Sequence, residues 1–154
     1  MTRRSFDGAT VLVTGAGGGL GRALALRFGA AGSNIVALDK DAGGIDSLAA
    51  ELRARGKACL PLPCDVTVAG ACSVAVAQAI ERFGSLDVLV NNAGMSHRSG
   101  FAATGLDVIR RIMEVNFFGA VNCTKAALPH LVARRGLVVV ISSVAGYTTL
   151  VART

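Results

Sequence analysis

Short runs of apolar and β-branched residues alternate along the chain with longer stretches in which apolar positions recur at helical spacing. Ala9 to Thr14 reads as a first strand that ends in a glycine-rich turn, and Leu20 to Ala31 as the helix after it, closed by Gly32. Ile35 to Asp39 is the second strand. Ile45 to Arg55 places Ile45, Leu48, Ala49 and Leu52 on one helical face, and Gly56 is its stop. Ala58 to Leu62 is a short third strand ending near Cys64-Asp65. Thr67 can cap an Ala- and Val-rich helix that runs to about Phe83, where Gly84 ends it. Leu86 to Val90 is the fourth strand. Leu106 to Arg135 is helical in pattern with a bend expected at Pro129, whose ring and missing N–H disturb a helix interior. Leu137 to Ile141, continuously apolar, reads as a fifth strand buried on both faces.

This alternation implies an α/β fold, a doubly wound parallel sheet with helices on both faces. The expected strand order is 3-2-1-4-5, with ligands bound at the carboxyl edge where the order reverses. No repeat, linker or low-complexity tract interrupts residues 1–154, so one domain is expected. Of the 154 residues 52% are hydrophobic and 17% charged, a balance that excludes disorder for most of the chain. Cys59, Cys64, Cys72 and Cys123 show neither metal-ligand spacing nor neighbouring histidines, so no metal site and reduced, buried thiols are expected. No apolar segment is long enough to cross a bilayer, which points to a cytoplasmic protein without a membrane partner. The net charge of +6 comes from basic residues scattered in ones and twos. With no aromatic side chains interleaved as stacking platforms, nucleic acid is not an expected partner.

The densest chemical signal is Thr14-Gly15-Ala16-Gly17-Gly18-Gly19-Leu20-Gly21, set between a strand and a helix. Glycines there let the backbone turn tightly and approach a pyrophosphate, whose charge meets free N–H groups and the positive helix end. Leu20 stands where a strict Gly-x-Gly-x-x-Gly motif would have its third glycine, so the pattern present is Thr-Gly-x-x-x-Gly-x-Gly. Asp39, closing the second strand, is placed to accept hydrogen bonds from adenosine ribose hydroxyls and to repel a 2′-phosphate, favouring NAD over NADP. Lys40 beside it softens that preference.

These residues resemble the short-chain dehydrogenase/reductase family, and the likeness extends over nearly the whole chain. Asp65-Val66 is similar to the family's adenine-contacting pair, Asn91-Asn92-Ala93-Gly94 to its signature turn after the fourth strand, and Asn116 to its catalytic asparagine. Ile141-Ser142-Ser143 resembles the segment with the active-site serine, and Ser143 is the better match by its place ahead of Val144-Ala145-Gly146. The resemblance implies a Rossmann-like sheet and an NAD-dependent oxidoreductase that interconverts an alcohol and a ketone or aldehyde. It also implies a full-length homodimer or homotetramer.

In that family a tyrosine exchanges the proton on the substrate oxygen, and the lysine of a Tyr-x-x-x-Lys pair lowers its pKa. Here Tyr147 is the only tyrosine, Val151 stands where its lysine would be, and no lysine follows Lys125. Tyr147 therefore reads as a loop residue near the substrate mouth, and the chain as a fragment whose sheet is truncated after the fifth strand, inactive alone. A complete short nucleotide-binding or regulatory module is the alternative. Met95-Ser96-His97-Arg98 and Val144 to Thr149 are expected on the pocket rim, with His97 and Arg98 solvated.

Overall fold

β1 (Thr10–Thr14) is buried along its whole length and forms the centre of a five-stranded sheet. The computed structural model describes residues 5–146 and 148. β2 (Asn34–Asp39), β3 (Cys59–Pro63), β4 (Val88–Asn91) and β5 (Leu137–Val140) complete the sheet in the order β3-β2-β1-β4-β5, and every pairing is parallel. The expected topology is the observed one. Among the described residues β3 pairs on one side only, and Pro61 and Pro63, which lack a ladder donor, fall in this outer strand.

Alternation along the central strands sends their side chains into two separate cores. Val11, Val13, Ile35, Ala37, Val88 and Val90 pack with Ala25 of α1 (Gly19–Ala30) and with Ile45, Leu48 and Leu52 of α2 (Ala42–Ala54). Leu12, Val36, Leu38 and Leu89 face the other way. They meet Cys72, Ala75, Val76 and Ala79 of α3 (Ala69–Phe83) and Cys123, Ala127 and Leu131 of α5 (Gly119–Ala133). The apolar face read for Ile45 to Leu52 is the buried face of α2.

Three local expectations are corrected. Thr67 does not cap α3, which starts from Val68 without a side-chain cap; the Asp65 carboxylate instead accepts the Thr67 N–H and hydroxyl at 2.9 and 2.8 Å. Such a turn satisfies locally the groups that a cap would use. The long helical segment is α4 (Leu106–Met113), a π-helical turn (Glu114–Phe118) and α5, and α5 runs on through Pro129. The segment changes helix type at the π turn. β5 is not buried on both faces, because Val138, Val139, Val140 and Ile141 are 37 to 61% exposed. Among the described residues the strand pairs with β4 alone.

Among the described residues no helix is long and apolar enough to cross a membrane. All four cysteines are free, with Cys64, Cys72 and Cys123 buried and Cys59 half-buried.

Candidate functional site

The sheet order reverses between β1 and β4, and the chain ties their carboxyl ends together there. Thr14 Oγ1 accepts the N–H groups of Asn92 and Ala93, each at 2.9 Å, and donates to the Val90 carbonyl at 3.3 Å. Asn92 returns the bond: its Nδ2 donates to the Thr14 and Gly15 carbonyls at 2.9 and 3.2 Å. Thr14 and Asn92 thus fix the glycine-rich turn against the turn after β4. Asn91 adds a tether from β4 to α5 through Nδ2 donating to Thr124 Oγ1 at 2.9 Å.

Within the turn, Gly15 has φ +66°, a conformation that favours glycine. Gly21, on the first turn of α1, faces it so closely that an added Cβ would stand 2.0 Å from the Gly15 carbonyl oxygen. No side chain caps α1, and no acidic residue occupies its first turn. The amide groups and dipole of that helix end are therefore left for an anion. The glycine-rich turn expected between β1 and α1 is present, with Leu20 53% exposed.

Asp39 closes β2 beside this turn. Its Oδ2 accepts the Gly17 N–H at 2.9 Å and its Oδ1 the Asp41 N–H at 3.0 Å. Each oxygen keeps a second lone pair, so the carboxylate is oriented and still able to accept hydroxyl protons. Asp65, after β3, has its carboxyl held below the usual carboxylate value by the Thr67 N–H and hydroxyl, with Arg111 and Lys40 adding positive charge nearby. Cys64 beside it stays a neutral thiol, because its hydrogen bond with Cys72 and its burial both push the pKa up.

A cleft of about 430 Å³ runs along this edge. Gly15, Gly18, Asp39, Asp65, Val66, Asn92, Ala93 and Gly94, all singled out from sequence, line it. Lys40, Cys64, Met95, Arg111 and Val115 complete the lining. Arg111 and Val115 carried no sequence motif. Their one signal is a spacing of four, from α4 into the π turn that follows it. Thr14 and Gly21 support the cleft from behind, while Gly17 binds Asp39 and Gly19 opens α1.

Asn116 sits in the π turn, where its Oδ1 accepts the Met95 N–H at 2.8 Å and its Nδ2 donates to the Met95 carbonyl at 2.9 Å. It borders the cleft through Met95 rather than lining it. Ser143 follows β5 at the same sheet edge, exposed, with Oγ accepting the Ala145 N–H at 3.2 Å. Among the described residues the structure does not bring Ser143 into the cleft lining. His97 is half-buried, Arg98 is exposed, and neither lines the cleft. Tyr147 and Thr149 lie outside the described residues.

Residues 9–153 match a family model described as short chain dehydrogenase. Dehydrogenase/reductase SDR family member 7B of Bos taurus is 42% identical over 149 residues, an alignment covering 92% of this chain and 46% of that protein. Meso-2,3-butanediol dehydrogenase of Serratia marcescens is 39% identical over 141 residues, covering 92% of this chain and 55% of that one. The chain spans about half the length of these curated relatives. Among solved structures, a 7 alpha-hydroxysteroid dehydrogenase complexed with NADH and 7-oxo glycochenodeoxycholic acid superposes with TM-score 0.90 at 28% identity. That match covers 96% of this chain and 58% of that chain. A short chain dehydrogenase/reductase from Burkholderia phymatum in complex with NAD gives TM-score 0.94 at 27% identity, covering 98% of this chain and 54% of that chain.

Proposed function

The chain belongs to the short chain dehydrogenase family, and from that membership we propose that its cleft binds NAD, with NADP the weaker ligand. The whole protein then interconverts an alcohol and a ketone or aldehyde. The observation that carries the reading is Asp39, a carboxylate fixed by the Gly17 N–H on the rim of the cleft lined by Gly15 and Gly18. A ribose diol can donate to it, whereas a 2′-phosphate would face its negative charge. The uncapped N-terminus of α1 suits the pyrophosphate. Asp65, ionised and with one oxygen free of Thr67, suits the exocyclic amine of adenine, over the apolar side of Val66. Asn92, Ala93 and Gly94 form the floor toward the nicotinamide end.

A nicotinamide bound there supplies the hydride acceptor or donor. Ser143 orients the substrate oxygen by a hydrogen bond, and Asn116 positions a water for the proton path. Neither residue replaces the proton-transferring tyrosine, and the 154 residues contain no Tyr-x-x-x-Lys pair. These residues by themselves therefore bind the dinucleotide without turning it over. The substrate is a small alcohol or carbonyl compound, and the protein acts in the cytoplasm as a homodimer or homotetramer.

Calorimetric titration of the chain tests the reading. NAD is expected to bind more tightly than NADP, and Asp39→Ala to narrow the gap about tenfold, the size of one charge-assisted contact. Equal affinities in the unsubstituted chain would overturn the role of Asp39. Measurable NAD reduction by this chain with any simple alcohol would overturn its inactivity.

A further inference from the structure

Arg111 is the charged one of the two cleft residues that no motif explains. It reaches the lining from α4, one helical turn before Val115, which also lines the cleft. Among the described residues no hydrogen bond or ion pair within 4.0 Å holds it. Arg111 shares the cleft lining with Asp65 and Lys40, and its positive charge, like that of Lys40, helps to hold the Asp65 carboxyl down. It therefore stands near Asp65, where the dinucleotide reading places the adenine. A flat partner stabilises an adenine face by stacking, and among the described residues no aromatic side chain lines this cleft. Asn92 offers a planar amide, but it is spent on the Thr14 and Gly15 carbonyls. The guanidinium of Arg111 is the remaining planar donor group, and guanidinium planes stack on aromatic rings.

We propose that Arg111 is a nucleotide-positioning residue whose guanidinium stacks on the outer face of the adenine ring while Asp65 receives the ring's amino group. Val115, four residues further on in the π turn, supplies the apolar neighbour beneath it. The proposal rests on the dinucleotide reading of the cleft, and it adds an element, α4, to the adenine site.

Calorimetry on the full chain with ADP-ribose and with ribose 5-diphosphate, which lacks the base, tests it. In Arg111→Ala the affinity for ADP-ribose is expected to fall about fivefold to tenfold, while affinity for ribose 5-diphosphate stays unchanged. Arg111→Lys keeps the charge and loses the plane, so it is expected to behave like the alanine variant. Full affinity in Arg111→Lys, or equal losses for both ligands, would show simple charge attraction to the pyrophosphate and overturn the stacking role. Unchanged ADP-ribose binding in Arg111→Ala would overturn any role. Failure of the unsubstituted chain to bind either probe would instead sink the dinucleotide reading itself, so the two failures are distinct. Arg111 is exposed, and thermal melts of both variants matching the parent exclude loss of folding as the cause.

Discussion

Asp87 carries a charge at only 7% exposure. Burial works to raise its pKa, yet hydrogen bonds from the Thr10 N–H at 2.9 Å, Arg134 Nε at 2.9 Å and Ser85 Oγ at 3.1 Å hold it below the ordinary carboxylate value. This one side chain joins the start of β1 to the end of α5. Asp87→Ala is expected to cost about 3 kcal/mol in urea denaturation, because the Thr10 N–H is left buried without a partner. Since the folded carboxyl binds its proton less readily than the unfolded one, its contribution is complete above about pH 4 and drains away as pH falls through the lowered folded value. Acid titration of the parent and of Asp87→Ala should therefore converge at low pH. Nothing in the sequence singled out Asp87, because two of its three partners lie 47 and 77 positions away. Asp39 was legible because its position at a strand end is local. Arg111 was not, because its place at the cleft depends on how α4 folds back across the sheet edge.

Two glycines of the first turn differ in what they do for α1. A Cβ at Gly21 would collide with the Gly15 carbonyl, whereas one at Gly18 would meet nothing within 4 Å. Gly21→Ala should therefore lower stability by about 1–3 kcal/mol and abolish dinucleotide binding together. Gly18→Ala should leave the melting curve in place and weaken binding only, since Gly18 lines the cleft. Paired melting and titration experiments separate the two, and a stable Gly21→Ala that binds normally would contradict the close approach. The motif was readable as glycines, but which glycine meets a backbone and which meets a ligand was not. The helices show the same division. Periodicity revealed the buried face of α2, while the π turn at Glu114–Phe118 escaped detection because one inserted residue leaves a polar and apolar pattern little different from that of a regular helix. Pro129 lies inside α5, which continues past it to Ala133.

Across the whole molecule, sheet order and strand identity were legible because parallel strands buried on both faces read as short apolar runs. β5 has the same composition and a different fate. Its Val140 is 61% exposed, and on α5 Leu128 and Val132 are 49 and 68% exposed. Apolar exposure at a sheet edge favours pairing between chains. Sedimentation at rising concentration should show self-association that Val140→Lys diminishes; a monodisperse parent would refute this. The cleft, in turn, draws its walls from residues 15 through 115 and crosses the point where the two wings of the sheet meet. A dinucleotide lying there grips both wings at once, so it acts as a removable cross-link. Every increment of binding energy becomes folding energy, about 2.7 kcal/mol when free ligand stands at a hundred times its dissociation constant. The melting temperature should thus rise with ligand concentration without a plateau, as a thermodynamic gauge of occupancy that requires no chemistry at all.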